Sequence, residues 1–521
     1  MRGAIAAGHP VTARAGARVL EEGGSAIDAC IAAAFASWVA ESTLTGPGAG
    51  GFLLVHRAHD RSARLLDFFV AVPGLGAGRR ANARMTRIDV DFGDASSQSF
   101  QIGPASCAVP GALAGLELAH RRFGRLPWAE LIRPAVEAGR AGVEINPAQE
   151  HLHLVQDPIL RHAEEGRRIY ELDGRRLVAG DRLVMDDLAA SLEQIAEQGA
   201  AALYGGELGR RLVEHVQAGG GEITVEDLRR YRVIWRRPVR AAYRGLEFLS
   251  NPPPSSGGIL IAYGLRLLDR LGEGGEPGSI AEAVRLIEVM REQGRARGSG
   301  FGRDLRRGGL VRRLLSEEAV QAGAGRVLDG AAAAAEAGVA RGTTHISVVD
   351  AAGNAASLTA SLGSASGVVV PGTGIHLNNM LGEEDLVAGN ERAGARLTSM
   401  MAPSIVLDRE RPRLVVGSAG SVRLRGAIMQ TAVNAVAHGM PIEEAIGRQR
   451  LHVDEPVVHW EGGEDVDSGL ADELERRGYV VNRWRRRNLF FGGVSAVQWR
   501  PEVGLEAAGD PRRGGAGIVV A

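Results

Sequence analysis

Arg341-Gly342-Thr343-Thr344-His345-Ile346-Ser347-Val348-Val349-Asp350 is the stretch on which the reading of this chain turns. A small residue precedes two threonines, and an alternating pattern, Ile346 and Val348 against Ser347 and Asp350, opens a strand directly behind them. If the peptide between Gly342 and Thr343 breaks, Thr343 gains a free α-amino group beside its own hydroxyl. An α-amine titrates at about 8, so it can serve as base for that hydroxyl, and one residue supplies nucleophile and base together. Taken alone, the stretch also fits the plain start of a β-strand. The rest of the chain must decide.

At 521 residues the chain exceeds the usual single-core size, which predicts two domains or one large multilayer domain. Aromatic residues make up only 4%, while glycine numbers 72, so its core is expected to be built from closely packed small side chains. Basic and acidic residues nearly cancel, at 61 and 62, and no net field recruits nucleic acid or an anionic membrane. Every basic residue apart from histidine is arginine. The absence of lysine excludes a Schiff-base lysine, a pyridoxal phosphate anchor and a P-loop lysine. Cys30 and Cys107 lack a CxxC partner and read as buried free thiols rather than a metal or redox site. His9, His345 and His376 are scattered and lack ligand spacing, so no metal or other cofactor is expected. His345, on the alternating strand, reads as a packed, hydrogen-bonded histidine that can still assist at the neighbouring junction. The first residues contain no long apolar segment, and no run approaches a membrane span, which gives a cytoplasmic expectation.

Residues 11–40 show two helical patterns divided by Gly23-Gly24-Ser25, with Ser25 placed to cap the second. Gly46-Pro47-Gly48-Ala49-Gly50-Gly51 fits the dinucleotide fingerprint in letters, but helix precedes it and strand follows it, the reverse of what that motif needs. It is read as a tight turn into a buried strand, 52–55, that forms a hairpin with 63–69. Helical signals dominate 111–271, notably at 112–123, 128–141, 186–198 and 206–217. Within the loop that ends Ser255-Ser256-Gly257-Gly258, the serines suit a helix cap better than an anion nest. The arginine-dense segment 295–313 reads as a solvated helical face. Residues 329–341 are low in complexity, as a flexible segment ahead of a cleavable junction would be. Beyond them come short strands at 344–350, 355–361, 405–408 and 413–417, then helices at 423–438, 442–449 and 469–477. No internal repeat is evident.

Several motifs now occur in one order: Glu22-Gly23-Gly24-Ser25-Ala26-Ile27-Asp28-Ala29, Gly50-Gly51-Phe52, Val109-Pro110-Gly111, Pro252-Pro253-Pro254-Ser255-Ser256-Gly257-Gly258, Thr343-Thr344-His345, Leu377-Asn378-Asn379, and Gly417-Ser418-Ala419-Gly420-Ser421. In this the chain resembles the γ-glutamyltransferases (glutathione hydrolases), members of the N-terminal nucleophile hydrolases. The resemblance implies an α+β fold, a four-layer αββα sandwich. It also implies a proenzyme that splits into residues 1–342 and 343–521, which remain together as a heterodimer. Thr343 matches the family's nucleophile, whose hydroxyl attacks a γ-amide carbonyl; the acyl-enzyme then passes to water or to an amine. Ser361 aligns with the threonine that orients this hydroxyl. Gly420 and Ser421 align with a glycine pair whose N–H groups face the developing oxyanion. Serine at 421 keeps the N–H but puts the backbone angles in question.

The substrate clamp matches only in part. Phe69 stands where the resemblance implies an arginine for the glutamyl α-carboxylate, Gly363 replaces an asparagine and Met380, after Asn379, replaces a glutamine. Glu383 is the nearest candidate for the α-ammonium within Gly382-Glu383-Glu384-Asp385, and Thr398-Ser399 keep the two hydroxyls that hold the carboxylate. Hydrogen bonds to charged groups contribute about 1.5–3 kcal/mol each, so glutathione is expected to be a poor substrate. Walls of Phe69 and Met380 suit a more apolar acyl group, unless arginines from 295–313 reach the site. Three readings stay open: a γ-glutamyltransferase-type threonine amidase acting mainly by hydrolysis, a cephalosporin- or glutaryl-type acylase, and a non-catalytic scaffold of the same fold.

Overall fold

Gly342–Asp350 forms a strand buried along its whole length, and the layers of the molecule are set by what covers its two faces. The computed structural model describes residues 2–76, 84–91, 97–298, 300–330, 342–383, 386–387, 391–462 and 469–521. From residue 331 to 341 the expected flexible segment lies outside the described residues, as do Glu384 and Asp385.

The strand sits inside a seven-stranded sheet ordered Ile234–Arg236, Ser62–Phe68, Gly50–Arg57, Ala355–Gly363, Gly342–Asp350, Gly3–Ala7, Ala516–Val520. Every pairing in it is antiparallel. A second, six-stranded antiparallel sheet runs Val239–Tyr243, Leu246–Ser250, Ser404–Asp408, Arg411–Ala419, Gly493–Arg500, Gly504–Gly509. Period-2 alternation divides the side chains between layers. Ile346 and Val348 join a cluster with Ile31, Phe35 and the other buried residues of the Ala26–Ala40 helix. Between the sheets lies another cluster that includes Phe52, Leu65, Ile405, Val415 and Val497. A third, with Phe248, Leu260, Val416 and Ile428, joins the second sheet to the helices Gly257–Leu271 and Arg423–Ala432. Three cores separate four layers, and the architecture is the αββα sandwich.

The polar side of the central strand faces the second sheet, not water. His345 is packed and hydrogen-bonded as expected, with Nδ1 2.8 Å from Thr359 Oγ1 and Nε2 3.0 Å from Ser347 Oγ. Gly417 on the facing sheet makes room for the ring, since a Cβ there would lie 2.2 Å from His345 Cε1.

Most elements follow the sequence reading. Ser25 closes a capping box with Asp28 at the start of the Ala26–Ala40 helix. Gly50 opens the buried strand that pairs with Ser62–Phe68. Arg303, Arg306, Arg307, Arg312 and Arg313 are exposed on the helices Phe301–Arg307 and Leu310–Leu315, so that part of the run is a solvated face, while Arg295 and Arg297 are half-buried. Residues 239–250 correct the helical reading of that region. They form a hairpin around Arg244-Gly245, both at positive φ (51° and 76°), a turn signal between two short apolar runs. Gly3–Ala7 is a strand that carries no sequence signal, because an alanine- and glycine-rich segment such as Gly3-Ala4-Ile5-Ala6-Ala7 shows little alternation. Cys30 and Cys107 are buried and unpaired. No described helix is long and apolar enough to cross a membrane.

Burial leaves several histidines neutral. It pushes His9, His153, His376 and His459 down to about 4 and His345 to about 3. Each titrates at about 6.5 when unfolded. Below that pH the unfolded chain binds more protons, so stability present at neutral pH is lost as pH falls from 6.5 toward the folded values. The thermal midpoint should therefore drop progressively between about pH 6.5 and pH 4; an unchanged midpoint from pH 7 to pH 5 would contradict the neutral burial of these rings.

Candidate active site

At the start of the central strand the ladder slips. Gly342 pairs with Gly363 but Thr344 pairs with Ala360, so Thr343 stands opposite two residues, Ser361 and Leu362, in a β-bulge. The bulge brings the Ser361 hydroxyl against both sides of one peptide bond. Thr343 Oγ1 donates to Ser361 Oγ at 3.3 Å, and Ser361 Oγ donates to the carbonyl oxygen of Gly342. The N–H of Gly363 donates to Ser361 Oγ at 2.8 Å and fixes the hydroxyl's direction. Thr343 is only 4% exposed, so the peptide is sealed from solvent while intact.

Two charged groups outside the sequence prediction hold this junction. Glu41, at the end of the Ala26–Ala40 helix, accepts from Thr344 Oγ1 at 2.5 Å and from Thr12 Oγ1 at 2.8 Å. Burial raises its pKa, with the two hydroxyl hydrogen bonds and the Arg513 charge opposing that rise. Arg513 Nη1 donates to the carbonyl oxygen of Thr343 at 3.0 Å. Glu41 had a legible signal, a lone acid closing a long apolar helix. Arg513, 170 positions beyond Thr343, had none.

Gly420 and Ser421 follow the Arg411–Ala419 strand at φ 118° and 54°. Serine thus accepts the left-handed conformation, at a cost of about 1–3 kcal/mol. Their carbonyls accept from Arg423 N and Leu424 N, while their own N–H groups are not spent on backbone carbonyls among the described residues. Among the described residues the buried Ser421 hydroxyl has no partner.

The expected clamp is dispersed. Phe69 stacks on Phe52 with ring centroids 5.4 Å apart, and both belong to the inter-sheet core together with Met380. Neither lines the pocket beside Gly342. The Phe69 carbonyl is bound by Arg396, not by an arginine of 295–313, and Arg396 also pairs with Asp67 at 3.3 Å. Asn379 Oδ1 accepts from Ser364 N at 2.8 Å, and the Glu383 carboxylate lies 3.2 Å from the same N–H and 3.4 Å from the Ser364 hydroxyl. A Cβ on Gly363 (φ 74°) would lie 2.2 Å from Asn379 Oδ1, so a side chain cannot replace this glycine unless Asn379 moves. Thr398 Oγ1 donates to Leu386 O at 3.2 Å, and Ser399 Oγ accepts from Met401 N at 3.0 Å. Ser255 and Ser256 bind the Ser399 carbonyl, and no side-chain cap forms at Ser256; their role is to pin the 399–401 segment. Among the described residues no three His, Cys, Asp or Glu side chains are grouped to hold a metal ion.

A hydroxyl and its own backbone nitrogen on the central strand of an αββα sandwich, next to a turn of left-handed backbone, are the parts of an N-terminal nucleophile hydrolase. The family model for γ-glutamyltranspeptidase matches residues 12–520, and the chain belongs to that family. It is 32% identical to the acylase ACY 1 proenzyme of Pseudomonas sp. (strain V22), over 100% of this chain and 94% of that protein. Identity is 31% to the glutathione hydrolase proenzyme of Pseudomonas aeruginosa, over 99% and 94%. The crystal structure of a cephalosporin acylase from Bacillus halodurans shares the fold with a TM-score of 0.84 at 24% identity, covering 99% of this chain and 95% of that one. The chain is therefore an enzyme of the γ-glutamyltransferase type, and the scaffold reading falls away.

Ser421→Gly tests the backbone reading of this turn. Glycine adopts positive φ without penalty, so the variant should be more stable by about 1 kcal/mol, seen as a higher thermal midpoint, with anilide hydrolysis equal or faster. Loss of hydrolysis with the fold intact would give the Ser421 hydroxyl a part in the chemistry.

Proposed function

We propose that the chain cuts itself between Gly342 and Thr343 and that Thr343 then cleaves amides of the γ-glutamyl type. The observation that carries this is the Ser361 hydroxyl, which accepts from the nucleophile and donates to the carbonyl under attack. In the first reaction Thr343 Oγ1 adds to the Gly342 carbonyl carbon. Its proton passes to Ser361 Oγ while the Ser361 proton moves to the developing oxyanion, so charge never builds up in the buried junction. Collapse breaks the C–N bond as the proton on the former carbonyl oxygen passes to the nitrogen, which frees the Thr343 α-amine and leaves Gly342 as an ester on Thr343 Oγ1; water then hydrolyses the ester, releasing the Gly342 carboxylate and restoring the Thr343 hydroxyl. Because the junction is buried, this intramolecular route is favoured over cutting by a second protein.

In the mature enzyme the Thr343 amine takes the proton from its own hydroxyl as Oγ1 attacks the substrate's amide carbonyl. The N–H groups of Gly420 and Ser421 receive the oxyanion. The leaving amine departs with the proton, and the acyl-Thr343 ester goes to water or to an acceptor amine. Ser361 keeps Oγ1 directed at the carbonyl. Residues 1–342 and 343–521 then work as one heterodimer.

The acylase reading is favoured by one specific fact: Phe69 supplies no guanidinium for an α-carboxylate and is buried in the core. The likeness to the acylase ACY 1 proenzyme accords with it. Purified protein should run as two fragments in denaturing electrophoresis, and Edman sequencing of the smaller should start at Thr343. Thr343→Ala should stay one chain with no anilide hydrolysis, and Ser361→Ala should slow the appearance of fragments by at least about tenfold, the scale of one charge-assisted hydrogen bond. Active protein with an intact backbone would end this proposal. Comparing γ-glutamyl- with glutaryl-p-nitroanilide separates the amidase and acylase readings.

A further inference from the structure

Self-cleavage consumes one water molecule, and the junction lies away from bulk solvent: Thr343, Ser361, Ser364 and Gln156 are all buried. Directly beside the Gly342–Thr343 peptide is a cavity of about 20 Å³, bordered by Gly342, Gly420 and Ser364. One water needs roughly 10–15 Å³ and two to four polar partners, so this space admits a single molecule of that size. Val155, Ile159 and Leu489 give it apolar walls, and three longer polar side chains reach it as well: Gln156, Arg423 and Arg513.

Each of those three carries a buried polar atom with no partner among the described residues. They are Gln156 Oε1, Arg423 Nε and Nη2, and Arg513 Nε. Leaving such groups unpaired is costly to a fold. Guanidinium nitrogens only donate and an amide oxygen only accepts; a water does both and satisfies the two kinds together. The Gln156 head, carried by the helix Pro147–Leu160, lies against the junction itself. A Cβ added at Gly342 would stand 3.2 Å from Gln156 Nε2.

Resting on the self-cleavage reading, we infer that this cavity holds the water that hydrolyses the Gly342–Thr343 ester, and that Gln156 is the residue that positions it. Gln156 Oε1 accepts one hydrogen of the water, and a guanidinium N–H occupies one lone pair. The second lone pair is then free to attack the Gly342 carbonyl carbon. As it attacks, the other hydrogen passes to the Thr343 α-amine, an amine that titrates at about 8 when unperturbed. The bond from that carbon to Oγ1 breaks, and Oγ1 takes a proton back from the ammonium. The new carboxylic acid gives its remaining proton to the amine. One water is consumed, and a Gly342 carboxylate, a Thr343 hydroxyl and a Thr343 ammonium remain. The carboxylate forms at a cavity reached by two guanidinium groups, with no aspartate or glutamate among the described lining residues.

The ester intermediate can be trapped in freshly synthesised protein. An ester-linked chain runs as one uncut band in denaturing electrophoresis, but hydroxylamine splits it and leaves a Gly342 hydroxamate, identified by mass. The sequence has no Asn-Gly pair that the reagent would also cut. Gln156→Leu is similar in size but lacks the acceptor. It should still form the ester and should lengthen the ester's lifetime by at least about tenfold, the scale of one lost hydrogen bond. Gln156→Glu keeps an acceptor oxygen and should mature without this accumulation. Maturation of Gln156→Leu at the unaltered rate, or a folded Gln156→Leu chain that stalls without becoming sensitive to hydroxylamine, overturns the inference. If Gln156→Leu does not fold, a crystal structure of the uncut Thr343→Ala chain decides. One ordered water bonded to Gln156 Oε1 and to a guanidinium N–H supports the positioning role, and a dry cavity refutes it. Folded, unaltered protein that forms neither fragments nor a hydroxylamine-sensitive bond would instead sink the self-cleavage proposal.

Discussion

The Ser361 hydroxyl meets the Thr343 hydroxyl and the Gly342 carbonyl at the same time, and it can do so only because the two central strands are out of step by one residue there. In a regular ladder a residue of one strand faces one residue of the next, and its backbone groups are taken up by the partner strand. The bulge leaves the Gly342 carbonyl to a side chain. It also lies at the end of a strand whose remaining length is locked between two neighbours, so the irregularity cannot relax by sliding. The surrounding features serve this point: Gly363 directs Ser361, Arg513 holds the next carbonyl, and Glu41 anchors Thr344 from the helical side.

The space between the sheets has two characters. Most of it is an ordinary apolar core, where Phe69 and Met380 reside. Along Thr343, His345, Ser347, Ser357, Thr359 and Ser361 it is polar, and these side chains hydrogen-bond one another and nearby backbone groups. Such a strip is stable only when its members satisfy one another. That condition explains the glycine at 417, which admits the His345 ring, and burial keeps the ring neutral near physiological pH. The arginines that approach the junction come from the opposite direction, through the pocket, and are the least satisfied charges near it.

Much of this was legible in the residues. The strand behind Thr343, the Ser25 cap, the inverted glycine turn at 46–51 and the helices at 112–123 and 128–141 each follow from local pattern, because each depends on neighbours in sequence. Thr343, Ser361 and Gly420-Ser421 could be marked from motif order. The substrate side was not readable in the same way. Whether Phe69 lines a pocket or fills a core depends on which side of a strand end it leaves, and it stacks on Phe52 from the neighbouring strand. Arg423 follows the Gly420-Ser421 turn closely, yet its packing under the Phe490 ring is not visible in one dimension. Glu41 and Arg513 act across 303 and 170 positions.

The central strand is hydrogen-bonded on one side to Gly3–Ala7, which in turn pairs with Ala516–Val520, while Ala355–Gly363 is zipped to Gly50–Arg57. Segments from before and after the junction therefore alternate within a single sheet. Severing one covalent bond would yield two polypeptides that are separate in composition only. Neither could leave without unzipping a shared ladder and exposing all three hydrophobic clusters, so parting of the pieces would be a unimolecular denaturation, insensitive to dilution, rather than the release of a bound partner. Maturation of such a particle would be a one-way event: a denatured mixture of its fragments would have to rebuild by encounter an interleaving that the uncut chain reached by folding alone.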